Sequence, residues 1–125
     1  MDVHQIALPV VDLERASAFY ADLLGVEPIA TFDPPGLAFF PLGSARLLLD
    51  RAAGPSAMLY LRVDDLAATV RRLRAAGVEV TEDARVVFAD ADGLFGPAGD
   101  DEWLASVHDT EGNMVGLMSR RASSR

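Results

Sequence analysis

The chain has 125 residues, about what one compact domain needs and too few for two independently cored ones. Its 19 acidic residues outnumber 11 basic ones, all arginine, and the resulting charge of −8 at pH 7 argues against a binder of nucleic-acid backbones. With no Lys and no Cys, Schiff-base lysines, thiol nucleophiles, thiolate metal sites and disulfide frameworks are excluded, leaving carboxylates, His4, His108, Tyr20, Tyr60, hydroxyls or water for acid–base chemistry.

From His4 to Val10, Ile6, Leu8 and Val10 alternate with Gln5, Ala7 and Pro9, which predicts a strand. Asp12 is placed to cap a helix in which Leu13, Ala16, Phe19, Tyr20, Leu23 and Leu24 recur at helical spacing, and Gly25 closes it. Strands are expected at Glu27 to Phe32, at Leu37 to Pro41 after the Asp33-Pro34-Pro35-Gly36 turn, and at Arg46 to Asp50. Residues 51–56 read as a connector.

The pattern then restarts. Met58 to Val63 reads as a strand with Leu59, Leu61 and Val63 on one face and Met58, Tyr60 and Arg62 on the other. Asp64-Asp65 caps a helix carrying Leu66, Val70 and Leu73, and Gly77 ends it. Val10-x-Asp12-Leu13…Gly25-Val26-Glu27 and Val63-x-Asp65-Leu66…Gly77-Val78-Glu79 are one phrase written twice, which indicates an internal duplication. Val78 to Val87 is expected as a strand, Ala89 to Asp101 as a loop, and Glu102 to His108 with Asn113 to Ser119 as a hairpin around Asp109-Thr110-Glu111-Gly112.

The order βαβββ-βαβββ predicts an α+β fold: one domain of two tandem modules, about 1–53 and 57–119, followed by a frayed tail at 120–125. Each helix is expected to cover one face of a mixed sheet, while the other faces curl around a cleft. No apolar run approaches the roughly 18 residues of a membrane span. The N-terminus carries no basic and apolar leader, so a soluble, cytoplasmic protein with neither membrane nor nucleic acid as partner is expected.

His4-Gln5-Ile6-Ala7-Leu8-Pro9-Val10-Val11-Asp12-Leu13-Glu14-Arg15-Ala16, Phe19-Tyr20, Leu23-Leu24-Gly25 and the turn Asp109-Thr110-Glu111-Gly112-Asn113 frame the repeat. In these the chain resembles the vicinal oxygen chelate superfamily of glyoxalases, bleomycin-resistance proteins and extradiol dioxygenases. The resemblance implies paired βαβββ modules sharing a cleft, commonly in a homodimer. It also implies a divalent metal held by His, Gln or Glu in many members, at positions that fall here on Gln5, Leu48, Met58 and Gly116. Only Gln5 among them is a suitable ligand for a hard cation, with Asp50 close by and Met58 suited to soft metals. A one-residue bulge in the first strand would offer His4 in place of Gln5.

Strand parity offers Gln5, Ala7, Leu48, Met58, Tyr60, Arg62, Met114, Gly116 and Met118 to the cleft, with Phe39 or Phe40, Phe95 and Trp103 as aromatic walls. The first reading is therefore a metal-independent binding protein without a cofactor, holding a small organic molecule for sequestration or resistance. Its ligand contacts would be Gln5, Leu48, Met58, Tyr60, Arg62, Trp103 and Met114. The alternative is a divalent-metal enzyme of the glyoxalase, epimerase or dioxygenase type, hence a lyase, isomerase or dioxygenase. A third reading is a cofactor-free enzyme using Tyr60 or a carboxylate. Asp90-Ala91-Asp92-Gly93 reads as a solvated turn, because its Gly stands fourth where a calcium loop needs it sixth. Ser106, His108 and Asp109 match a hydrolase triad in composition only.

Overall fold

The computed structural model describes residues 1–51 and 57–124, so most of the expected connector 51–56 lies outside the described residues. In chain order the elements are β1 (Asp2–Pro9), α1 (Leu13–Leu24), β2 (Ala30–Phe32), β3 (Leu37–Leu42), β4 (Ala45–Asp50), β5 (Met58–Arg62), α2 (Leu66–Ala75), β6 (Val80–Asp90), β7 (Asp100–His108) and β8 (Met114–Ala122). This is the expected α+β order, βαβββ twice. The residues group into two compact units, one of His4–Met58 and one running from Leu59 onward together with Met1–Val3.

In the first unit the strands lie in the order β2-β3-β4-β1, with β1 parallel to β4 and the other neighbours antiparallel. In the second they lie in the order β6-β7-β8-β5, with β5 parallel to β8 and the others antiparallel. The repeated phrase in the sequence is thus a repeated topology.

The repeat extends to the helix caps. Asp12, extended at φ −109° and ψ 96°, accepts the Arg15 N–H at 3.0 Å. Asp65, at φ −123° and ψ 94°, accepts the Ala68 N–H at 3.0 Å. Each carboxylate satisfies an amide that the first helical turn leaves without a partner and places negative charge at the positive end of the helix dipole. At the other end Gly25 takes a left-handed φ of 69°, a conformation that an L side chain resists.

Each helix buries its apolar stripe on one face of its own sheet. Leu13 of α1 packs with Ala38, Phe40, Leu47 and Leu49, joined by Leu8, Val10, Ala16, Tyr20 and Leu24. Leu66 and Val70 of α2 pack with Val63, Ala105, Val107 and Leu117, joined by Leu61, Leu73 and Trp103. Each module thus has a hydrophobic cluster of its own, where the chain length points to a single core. Fully burying a side chain such as Phe40 or Leu49 is worth about 1.5–3 kcal/mol.

Two segments depart from expectation. The tail expected to fray from 120 is instead the end of β8: Arg120, Arg121 and Ala122 pair with Glu102, Asp101 and Asp100, and the Ser123 N–H reaches the Gly99 carbonyl at 3.1 Å. Asp90 does not sit in a solvated turn. Its carboxylate is buried, accepting the Leu94 and Phe95 N–H groups at 2.7 and 3.0 Å and an Arg120 N–H at 3.0 Å.

Arg120 also donates to Glu102 at 2.7 Å and to the Pro97 carbonyl at 3.1 Å. Its guanidinium occupies the space that a side chain on Gly96 would need. One arginine thus ties the loop 91–99 to the strands on either side of it. Burial, the largest single influence, pushes the Asp90 carboxyl upward, but the Phe95 and Leu94 amides and Arg120 together bring it below its ordinary value. Among the described residues, no helix is long and apolar enough to cross a membrane.

Candidate functional site

The helices cover one face of each sheet, so the candidate site residues are those of opposite parity on the other face. In the first unit β1 runs in register with β4 from Gln5↔Arg46 through Ala7↔Leu48 to Pro9↔Asp50. No bulge interrupts this stretch, so Gln5 and Ala7 keep the face away from the helix and His4 shares the parity of Ile6 and Leu8. Beside them Leu48 pairs with Phe39. Gln5, Ala7, Phe39, Arg46 and Leu48 are all buried.

The Arg46 guanidinium is the distinctive group of this face. Its Nε donates to the Gln5 amide oxygen at 2.5 Å, and its Cζ stands 5.2 Å from the centre of the Phe39 ring. Phe32 meets Phe39 edge to face, with centroids 6.0 Å apart. The bond of Arg46 to Gln5 follows from the parallel β1–β4 register, which the sequence does not specify.

In the second unit the face opposite α2 carries Tyr60 and Arg62 from β5, Gly116 and Met118 from β8, and Leu104 and Ser106 from β7. Tyr60 pairs with Gly116, which pairs in turn with Ser106, while Arg62 pairs with Met118 and Met118 with Leu104. The Tyr60 ring lies directly over Gly116: a Cβ there would meet Cδ2 well inside contact distance and Cε2 at 2.8 Å. Ser106 is buried, and its hydroxyl has no hydrogen-bond partner among the described residues. Sequence reasoning weighs Ser106 only as a triad member and not as a residue of this face, although the alternation of Ala105 and Val107 into the α2 core marks it as facing the other way.

Of the other proposed contacts, Met58 opens β5 half-buried, and Met114 opens β8 in an exposed position. Arg62, also half-buried, stands 3.8 Å from the exposed Asp2 carboxylate. Trp103 lies on the helix side of its own sheet. It packs into the core under α2 with Arg121 5.9 Å from its ring centre, because its parity follows Ala105 and Val107. Phe40 is likewise in the helix-side core, whereas Phe95 stacks edge to face on Phe88 at 5.5 Å.

His108 pairs with Glu79, Nδ1 to carboxylate 2.9 Å, beside an open cavity of about 530 Å³ at the end of α2. A second cavity of about 370 Å³ is lined by Met1, Asp2, Arg62, Val63, Asp64, Asp65 and Thr69, and so takes in one of the proposed contacts.

The metal that the resemblance implies does not fit these residues. A hard divalent cation needs carboxylate or carbonyl oxygens and neutral imidazoles. The Gln5 oxygen already accepts from a buried guanidinium, whose positive charge repels a second cation at the same atom. Leu48 and Met58 offer hydrocarbon and thioether. At Gly116 the Tyr60 ring fills the space where a ligating side chain would begin. No group of three or more His, Cys, Asp or Glu among the described residues is arranged to hold a metal ion.

Two βαβββ units with a helix on one face and a mixed polar and apolar set on the other define the class of paired βαβββ proteins. A family model described as the Glyoxalase/Bleomycin resistance protein/Dioxygenase superfamily matches residues 2–117, and the chain belongs to that superfamily. Among solved structures it resembles a superfamily member from Vibrio splendidus 12B01, with TM-score 0.66 and 13% identity over 93% of this chain and 96% of that one.

A catechol 2,3-dioxygenase follows at TM-score 0.65 and 17% identity, over 98% of this chain and 42% of the other. The Mn(II)-bound glyoxalase of Novosphingobium aromaticivorans gives TM-score 0.64 and 20% identity, over 99% of this chain and 40% of that one. The chain thus spans about two fifths of these two enzymes, and likeness at such identities concerns the fold. No individual curated protein matches the chain.

Proposed function

We propose that this chain is a small-molecule binding member of the superfamily that works without a metal and holds an organic ligand against the sheet faces opposite its helices, in a sequestering or resistance role. The observation that carries this reading is the pair of substitutions for ligand chemistry: a guanidinium seated on the Gln5 oxygen, and an aromatic ring seated on Gly116. Both put organic groups where the resembling enzymes keep metal ligands. The half-buried Met58, Tyr60 and Arg62 and the exposed Met114 are the accessible contacts, while Gln5 and Leu48 are buried on the first module's own sheet face.

Such a set combines polarisable apolar surface with a few directional polar groups. It suits a ligand that is partly aromatic and carries a carbonyl or carboxylate. The test combines elemental analysis of the purified chain with melting shifts on a panel of aromatic carbonyl and carboxylate compounds, each with and without EDTA. The expected result is substoichiometric metal and ligand-induced shifts that EDTA leaves unchanged. Stoichiometric manganese, iron, nickel or zinc, with shifts or turnover abolished by EDTA, would replace this reading with that of a metal-dependent lyase, isomerase or dioxygenase. A panel that produces no shift at all would remove the binding role.

A further inference from the structure

Buried hydroxyls find hydrogen-bond partners in most folded proteins, because leaving one unmet costs free energy. The Ser106 hydroxyl is an exception: the residue is 1% exposed, and Oγ has no partner among the described residues. Its neighbours Ala105 and Val107 lie in the core under α2, so Ser106 belongs to the opposite face of the second unit, with Tyr60 and Gly116. Ser119, whose hydroxyl is buried and unmet in the same way, shares the parity of Leu117 and lies on the helix side. Parity thus places the Ser106 hydroxyl, and not that of Ser119, on the face that carries the proposed ligand contacts.

Beside Ser106 stands a residue without a side chain. Tyr60, Gly116 and Ser106 form one row across β5, β8 and β7, at about 4.8 Å per strand. The half-buried Tyr60 ring leans into the place that Gly116 leaves, with Cε2 2.8 Å from where a Cβ would be. A six-membered aromatic ring therefore fits over Gly116, and the chain itself supplies the example. The polar groups of the row favour a neutral ligand. Ser106 carries no charge, and its other neighbour in the ladder is Glu82, paired with Arg85 at 2.7 Å. A carboxylate brought beside them would lose its water without meeting a cation in the row, whereas a carbonyl oxygen would accept the Oγ hydrogen. We propose that the space over Gly116 is an aryl subsite, held by the Tyr60 ring until the ring of a neutral aryl carbonyl compound displaces it, with Ser106 Oγ donating to the carbonyl oxygen. The subsite rests on the small-molecule binding role proposed above and narrows its ligand to that class.

Calorimetric titration of acetophenone, benzamide and benzoate into the wild type, Ser106→Ala and Ser119→Ala tests the assignment. The wild type is expected to bind the two neutral carbonyl compounds more tightly than benzoate. Ser106→Ala should weaken them about tenfold, the loss of one buried hydrogen bond, and Ser119→Ala should leave them unchanged. Without ligand Ser106→Ala should melt no lower than the wild type, since it removes a hydroxyl that had no partner. Unaltered affinity in Ser106→Ala, a clear drop in its ligand-free Tm, or tightest binding of benzoate would each overturn the subsite. Binding that persists through such a result would leave the broader reading standing. A second arm needs no ligand of the wild type: phenol should raise the Tm of Tyr60→Ala by filling the vacated space, and should do nothing for Tyr60→Ala/Gly116→Ala. Phenol without effect on Tyr60→Ala would overturn the subsite even if the panel compounds bind elsewhere. A wild type that binds none of the compounds, while Tyr60→Ala takes up phenol, would show the ring to be a fixed part of the fold and overturn its displacement.

Discussion

The Tyr60 ring and Gly116 occupy each other's space. The two residues face each other across the parallel β5–β8 pair, and the ring leaves no room for a Cβ on its partner. Gly116 is thus fixed by contact with a side chain, at a position where the backbone needs no positive φ. Gly116→Ala should destabilise the chain by about 1–3 kcal/mol through overpacking, and much of that loss should disappear in a Tyr60→Ala background. Urea titration of the four members of this double-mutant cycle gives the coupling. Additive losses would mean that the ring moves aside freely.

Asp90 makes stability depend on acid. Its carboxyl titrates below the ordinary value in the folded chain, so the ionised form is favoured by folding. The resulting stability is fully present above the unfolded pKa of about 3.9 and is lost as pH falls through the lower folded value. Asp90→Asn should therefore lower the melting temperature at neutral pH and flatten the acid limb of the stability curve. The loss at pH 7 is expected to approach the roughly 3–5 kcal/mol seen when one partner of a buried ion pair is removed, since Arg120 keeps only part of its counter-charge. Equal acid limbs for wild type and variant in melting curves from pH 2 to 7 would contradict this.

The two helix caps offer a matched comparison. Asp12→Ala and Asp65→Ala should each cost about 1 kcal/mol, and the double variant about the sum, since each carboxylate serves only its own helix. Chemical denaturation measures all three. A much larger loss at one site would mean that this aspartate does more than cap.

Gln5→Ala removes the oxygen that Arg46 Nε donates to in a buried setting, and should cost about 1–3 kcal/mol. Gln5→His tests the same contact differently. It installs a better metal ligand beside the guanidinium, and should still bind no stoichiometric nickel or zinc in equilibrium dialysis. Tight uptake of one equivalent would show that Arg46 is no obstacle.

Periodicity and punctuation carried most of the fold. The alternation of Ile6, Leu8 and Val10, the aspartate caps and the repeated Val-x-Asp-Leu…Gly-Val-Glu phrase are local signals, and local backbone preference is what they report. The end of β8 was misjudged for the opposite reason. Arg120 reads as part of a charged tail until Asp90 and Glu102, 30 and 18 residues away, come to lie beside it. Trp103 was assigned to the site by its aromatic character, yet its neighbours Ala105 and Val107 already carried the parity that puts it under α2.

By itself the sequence determined the chemistry available, with no lysine, no thiol and few metal ligands, and it determined the two-module order, because strand and helix periods and caps are written residue by residue. Only the tertiary structure decided what those residues do to one another. That Arg46 sits on Gln5, that Tyr60 sits on Gly116 and that Arg120 ties Asp90 to Glu102 all depend on strand register, and register is set by packing between segments far apart in the chain.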